Sequence, residues 1–203
     1  MALLIITACS GTGKSTLVRA LLNRHPQLRL SVSHTTRKPR EGEEDGVHYH
    51  FIEHDQFRQM IQDDAFVEWA EYAGNYYGTS HQMILDNERQ GFDLVFEVEV
   101  KGAQALRTHY EYARHCFILP PSWAELEHRL TSRQTEDQAT IQRRLAVGKQ
   151  ELKHAHTFDY VIVNDQLEQA LEQLSILYQS LRLQTRQNRQ VLDDILNDIN
   201  ESV

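Results

Sequence analysis

The chain has 203 residues, of which 40% are hydrophobic, and a formal charge of −8. That length supports one substantial core rather than two independent domains, and so acidic a balance excludes a general nucleic-acid binder, which needs a basic footprint to gather the phosphate backbone. Two cysteines, Cys9 and Cys116, are too few for a disulfide framework. With no basic leader before the short apolar run Leu3 to Ile6 and no segment of bilayer-spanning length, the expectation is a cytoplasmic protein without membrane association.

The first element is an apolar strand, Leu3 to Thr7, followed at once by Ala8-Cys9-Ser10-Gly11-Thr12-Gly13-Lys14-Ser15. A strand that turns through glycines into a helix is the setting of a phosphate loop. Gly11 and Gly13 let backbone NH groups approach phosphate oxygens, and the helix opening near Lys14 aims its positive dipole end at the same place. Lys14 then reaches the terminal phosphates and Ser15 Oγ ligates magnesium. The pattern's first place, where Gly is usual, holds Ala8; the helical context is supplied by Leu17, Val18, Leu21 and Leu22 on one face.

Residues 35–79 break the rhythm of strand and helix. They carry Pro39, Gly42, Gly46, Gly74 and Gly78 and short aromatic stretches, and read as a small β-rich insertion. Arg37, Lys38 and Arg40 cluster there, and Arg129, Arg133, Arg143 and Arg144 form a second basic group, which suits two small anions better than one long polyanion. His48, His50 and His54 lie close in sequence, but both cysteines are elsewhere and a structural zinc site needs four ligands, so no such metal is expected.

Strands follow at Asp93 to Val100, Arg114 to Leu119 and Tyr160 to Val163, each leading into a helical pattern. Alternating strand and helix predicts an α/β fold with a parallel sheet flanked by helices. Thr131 to Thr140 is polar and sits between arginine-bearing helices, as a mobile lid would. Leu167, Leu171, Leu174, Tyr178 and Leu181 predict a helix packed on the sheet. The tail, 184–203, ends in a second amphipathic segment with Leu192, Ile195, Leu196 and Ile199, for which packing on its own domain and pairing with a second copy both remain open.

Ser33-His34-Thr35-Thr36-Arg37-Lys38-Pro39-Arg40-Glu41-Gly42-Glu43, then Gly46-Val47-His48-Tyr49 and Gly74-Asn75-Tyr76-Tyr77-Gly78-Thr79, resemble the acceptor-nucleotide segment of guanylate kinases. With the phosphate loop, Pro120-Pro121-Ser122 and Val161-Ile162-Val163-Asn164-Asp165, the resemblance runs from Leu3 to about Leu181. It implies a P-loop NTPase-like domain with core 1–34, 80–123 and 155–183, a GMP-binding insertion 35–79, a helical lid region 124–154 and the tail outside the family. It also implies transfer of the γ-phosphoryl group of ATP to GMP, with Mg2+ as cofactor and dGMP as a further candidate substrate.

Residue by residue, the resemblance implies that Arg37, Arg40, Tyr49 and Tyr77 hold the acceptor phosphate and that Ser33, Glu68 and Thr79 meet guanine, with Glu43 and Gly78 completing the set. Forked guanidinium groups suit phosphate, and a carboxylate accepts two parallel bonds from the guanine ring NH and exocyclic amine. On the donor side it implies residues 8–16, including Thr16, around the phosphates, Arg133 and Arg144 closing from the lid, and Asn164 near adenine; Lys14, Arg37, Arg133 and Arg144 are the candidate catalytic residues. Where relatives commonly have Asp-x-Asp at the end of the central strand, this chain has Glu97-Val98-Glu99. Strand alternation puts the two carboxylates on one face, about 7 Å apart, and the expectation is that both still serve acceptor binding or magnesium water. Two other readings compete: a kinase for a sugar phosphate, against which Glu68 and Thr79 speak, and a catalytically silent phosphopeptide-binding module, which would have no need of Lys14.

Overall fold

The computed structural model describes residues 1–72, 74–132 and 137–201. The chain opens with β1 (Leu3–Ala8), α1 (Lys14–Arg24) and the short β2 (Leu28–Leu30). It then leaves the first sheet to build β3 (His34–Thr35), β4 (His50–Phe51), α2 (His54–Gln62), β5 (Phe66–Tyr72) and β6 (Asn75–Ser80). It returns through α3 (His81–Arg89), β7 (Asp93–Glu97), α4 (Val100–His109) and β8 (Arg114–Leu119). α5 (Trp123–Thr131) and α6 (Gln138–Leu152) precede β9 (Tyr160–Val163), α7 (Leu167–Arg182) and α8 (Arg189–Glu201).

The first sheet has the order β2-β7-β1-β8-β9, with every pairing parallel. β1 is its middle strand and is buried throughout, as a parallel strand covered on both faces must be. Its alternation divides the core: Leu4, Ile6 and Ala8 face the layer of α1 and α7, while Leu3 and Ile5 face the side that holds Ile84, Ala103 and Leu106 of α3 and α4. A third apolar group, Cys9, Phe117, Leu126, Leu130, Ile141 and Leu145, seats α5 and α6 against the carboxyl end of the sheet. The opposite end is pinned by the buried carboxylate of Asp93, which accepts from Ala2 N (2.7 Å) and Tyr178 Oη (2.8 Å) and pairs with Arg182 at 3.3 Å. Three donors are what make a charge tolerable at that depth.

The second sheet, β4-β3-β6-β5, pairs β3 with β4 in parallel and the rest antiparallel. α2 closes its far side: Phe57, fully buried, stacks on Phe66 (4.4 Å between centroids) and Tyr76 (5.3 Å). This helix and the three-residue β2 are absent from the sequence reading.

Two expectations change. The strand foreseen over Asp93 to Val100 stops at Glu97, and Val100 already begins α4 with Glu99 as its N-cap residue. Val98 N still bonds Ile6 O at 3.2 Å, but β1 turns away into the phosphate loop after Ala8 and β2 ends at Leu30, so no ladder is left to extend. Leu167, expected on the packed face of its helix, is exposed at the first turn of α7, whereas Leu171, Leu174, Tyr178 and Leu181 are buried. In the tail, Val191, Leu192, Ile195, Leu196 and Ile199 of α8 are all exposed rather than packed on the domain.

Candidate functional site

The carboxyl ends of β1 and β7 lie side by side, which is where open parallel sheets bind ligands. After Ala8 the chain turns through Gly11 (φ 93°) and Gly13 (φ 87°), the left-handed region that favours glycine. Both positions are also sterically closed. A Cβ on Gly13 would lie 2.7 Å from Asn164 Nδ2, and one on Gly11 would lie 2.9 Å from Leu130 Cδ2. The loop is braced by Thr12 Oγ1 donating to Cys9 O (2.9 Å) and by Asn164 Nδ2 donating to Thr12 O (2.7 Å). Asn164 is thus buried against the loop backbone, with its amide donor engaged there. Cys9 is inert as a nucleophile: burial pushes its thiol up to about 12, and Sγ donates to Gly148 O.

Lys14 opens α1 and points along the end of β7. Its Nζ donates to Val98 O at 3.4 Å and lies 3.9 Å from Glu97 Oε1. Burial pushes its pKa below the usual lysine value, and Glu97, Glu99 and Glu151 push back, favouring the charged form. Ser15 Oγ donates a short hydrogen bond to Glu97 Oε1. Ser10 and Thr16 are exposed, and Arg144 reaches down from α6 to donate to Ser10 Oγ, with Nε at 3.1 Å. Arg133 lies outside the described residues.

A cavity of about 320 Å³ adjoins this loop and is lined by Ser33, Tyr49, Glu68, Tyr77, Glu97, Glu99, Lys101 and Gly102 among others. Six residues foreseen for the acceptor therefore meet around one space, drawn from β5, β6, the end of β7 and three connecting segments. Glu68 Oε1 accepts from Thr79 Oγ1 at 2.8 Å, and Thr79 Oγ1 lies 3.3 Å from Ser33 Oγ. Burial raises the Glu68 pKa, Thr79 lowers it and Glu99 adds repulsion. Its second oxygen faces Gly102 at the start of α4, where a Cβ would come within 3.3 Å. Gly102 is a site position that sequence reasoning missed; a glycine three residues after the strand-end carboxylates was the available signal.

At the phosphate end, Arg37 is held in a two-pronged grip by Glu43, Nη1 to Oε2 at 2.9 Å and Nη2 to Oε1 at 2.8 Å. The same carboxylate accepts from Arg40 N at 2.7 Å, and these bonds hold Glu43 down to about 2. Glu43 thus fixes the direction of the Arg37 guanidinium. The Arg37 guanidinium carbon stands 5.4 Å from the Tyr49 ring centroid, and Tyr49 and Tyr77 meet edge to face at 6.1 Å. Arg40 itself is exposed. Gly78 is there for packing: a Cβ would sit 3.0 Å from Glu68 O, Phe57 Cζ and Phe66 Cδ1.

A larger hollow of about 650 Å³ lies behind the acceptor strands, where alternation points His34, His50 and Ser80 away from Ser33, Tyr49 and Thr79. Among the described residues its wall holds no lysine or arginine.

The comparisons agree with this geometry. The family model described as guanylate kinase matches residues 1–181. A guanylate kinase of Methylobacillus flagellatus is 48% identical over 190 residues, covering 94% of this chain and 93% of the relative. One from Nitratidesulfovibrio vulgaris is 46% identical over 198 residues, covering 98% and 96%. The crystal structure of guanylate kinase from Anaplasma phagocytophilum superposes with a TM-score of 0.72 at 28% identity, covering 91% of this chain and 87% of that one.

Proposed function

The chain belongs to the guanylate kinase family, and we propose that the two adjoining sites described above carry out its reaction residue by residue as follows. The enzyme transfers the γ-phosphoryl group of ATP to GMP, giving ADP and GDP. The phosphate loop, residues 8–16, takes the ATP phosphates on its backbone NH groups and on Lys14. GMP enters the cavity beside it, with Glu68, Thr79 and Ser33 on guanine and Arg37, Arg40, Tyr49 and Tyr77 on the phosphate.

One observation carries the reading. Glu97 bonds Ser15 and attracts Lys14 in the donor site while its side chain lines the acceptor cavity, so the two phosphates meet across a single residue. The nucleophile needs no strong base, because a phosphate monoester loses its second proton near pH 6, roughly. Catalysis is positioning and charge neutralisation by Lys14, Arg37, Arg144 and, from the lid, Arg133. Glu97 and Glu99 both face the acceptor cavity, and the longer side chains that replace the usual aspartates keep their charge directed at GMP.

Magnesium fits the donor site: Ser15 Oγ is a hard oxygen donor at the start of α1, beside the place the phosphates occupy. When bound with ATP, the ion neutralises phosphate charge. Core, insertion, lid and tail divide as 1–34 with 80–123 and 155–183, 35–79, 124–154 and 184–203. No described helix is long and apolar enough to cross a membrane, and the two free, buried cysteines suit a reducing cytoplasm. dGMP is accepted as well as GMP, since the residues assigned to the acceptor touch base and phosphate. The tail pairs with a second copy: an antiparallel pair of α8 helices would cover the exposed Leu192, Ile195 and Leu196. Light scattering of the Ile195→Asp variant tests this, a smaller mass than wild type being expected and an unchanged mass contradicting it. The whole reading is tested by ATP turnover with GMP, AMP, UMP and a ribose phosphate, GMP alone being expected to give rapid ADP release.

A further inference from the structure

One residue in the wall of the acceptor cavity takes no part in the reading above. Among the described residues Lys101 is the sole lysine or arginine of that wall, in the company of the carboxylates of Glu68, Glu97 and Glu99. It holds the second position of α4, whose N-cap residue is Glu99 and whose first turn carries no acidic residue. A cation there opposes the helix dipole, which favours negative charge at this end. Lys101 is exposed, and no ion pair or side-chain hydrogen bond with a described residue offsets that cost. A side chain that its own helix disfavours, set in the wall of a binding cavity, is the kind of local conflict that marks functional positions.

The donors and acceptors around Glu68 fix how guanine lies. Thr79 Oγ1 donates to Glu68 Oε1 at 2.8 Å and stands 3.3 Å from Ser33 Oγ, so the hydroxyl end of the pocket is on the Oε1 side. Oε2 is at the other end, beside Gly102, where a Cβ would come within 3.3 Å of it. Along the pairing edge of guanine the order is carbonyl oxygen, ring NH, exocyclic amine. A hydroxyl can donate to the carbonyl oxygen and an ionised carboxylate cannot. The carbonyl oxygen therefore falls to Ser33, the ring NH to Oε1 and the amine to Oε2. Past the amine come ring N3 and the ribose, which this orientation turns toward the first turn of α4. Lys101 immediately precedes Gly102 there.

We propose that Lys101 is a specificity-determining residue for the acceptor: its ammonium donates to the ribose 2′-hydroxyl oxygen, so that GMP is preferred to dGMP. The proposal rests on the acceptor-site reading and goes beyond it. Ser33, Glu68 and Thr79 meet the base and Arg37, Arg40, Tyr49 and Tyr77 the phosphate, and none of these contacts separates the two sugars. The lysine stem is long and flexible and its ammonium has three donors to offer. dGMP remains a substrate. A buried hydrogen-bonding group rejects the analogue that lacks its partner by orders of magnitude, whereas an exposed ammonium regains water, so the preference is moderate.

The test compares wild type, Lys101→Met and Lys101→Arg as full-length proteins. kcat/KM for GMP and for dGMP is measured at saturating ATP and magnesium, affinity for each monophosphate is read by calorimetry without ATP, and folding is followed by thermal melting. Wild type is expected to favour GMP over dGMP at least about fivefold in both kinetics and binding. Lys101→Met, which keeps an apolar stem and has no donor, is expected to bring that ratio within about twofold of unity by losing on GMP alone, with dGMP within about twofold of wild type. Its melting temperature should not fall, since a cation leaves the first helical turn. Lys101→Arg, which keeps a charged donor, is expected to hold at least half of the preference. A wild type that does not distinguish the two nucleotides, a Lys101→Met variant that loses equally on both, as a general attraction for phosphate would give, or one that melts far lower would overturn the proposal. Failure of wild type to bind either monophosphate would overturn the acceptor-site reading and the proposal with it, whereas equal binding of both leaves that reading standing and removes only the role of Lys101.

Discussion

Glu68→Gln isolates the choice of base. In the native site Oε1 already accepts from Thr79 Oγ1 at 2.8 Å, and Oε2 faces the cavity beside Gly102. Guanine offers two donors to this group, its ring NH and its exocyclic amine. Gln keeps the oxygen that Thr79 needs, so the local fold survives, but it presents an NH2 where a carboxylate oxygen stood. One charge-assisted bond is lost, worth about 1.5–3 kcal/mol, and a donor then opposes a donor. At about 1.4 kcal/mol per tenfold, kcat/KM for GMP should fall roughly 10- to 150-fold. Adenine presents an acceptor beside a donor, which matches the Gln amide, so kcat/KM for AMP should hold or rise. The assay is steady-state kinetics with both nucleotides at saturating ATP and magnesium, with melting as control. A GMP to AMP ratio within threefold of wild type, in a variant that melts normally, would refute the assignment of Glu68 to guanine.

Lys14→Ala should abolish most turnover while leaving melting nearly unchanged, and near-normal GDP formation would exclude the donor-site assignment. Arg40→Ala should raise KM for GMP strongly without changing the base preference, as the kinetics with GMP and AMP will show. Glu99→Gln should lower kcat/KM for GMP at least about tenfold, roughly 1.4 kcal/mol; a change under threefold would leave base recognition to Glu68, Thr79 and Ser33. Gly78→Ala forces a methyl against a carbonyl and two packed rings at 3.0 Å, so it should cost about 1–3 kcal/mol and lower the melting temperature by several degrees, which calorimetry will register. His115 is held down to about 4 by burial. A lowered folded pKa means that its neutral form stabilises the fold fully above the unfolded value, about 6.5, and that this is lost as pH falls toward 4. Thermal melts of His115→Leu should show a shallower decline than wild type between pH 6.5 and 4.5.

The phosphate loop was legible because its chemistry is local: a buried strand, two glycines forced to positive φ and a helix, all within consecutive residues. β8 and β9 were legible for a similar reason, each being a short apolar run bounded by polar residues. β2 was not, because three residues give no alternation to read. α2 carries Phe57, Met60 and Ile61 at helical spacing, but so short a pattern was masked by the glycines and aromatic stretches around it, which read as β-rich. The end of β7 was misjudged because Val98 and Val100 continue a strand-like alternation; only the departure of β1 into its loop stops the ladder. Glu68, Arg37 and Tyr49 are far apart in sequence, and their convergence was visible only through the family resemblance. Glu43 carries a different lesson: its carboxylate accepts from Arg37 and the Arg40 backbone, a pairing that its place beside two arginines does not specify.

The central claim, that the phosphate loop and the cavity beside it form one phosphoryl-transfer centre for ATP and GMP, is tested most directly by following ATP, GMP, ADP and GDP together by chromatography in a single reaction with magnesium. The account predicts that ADP and GDP rise in equal amounts with wild type, and that neither rises when GMP is replaced by AMP or UMP at the same concentration. ADP formed without matching GDP, or equal turnover with AMP, would contradict it.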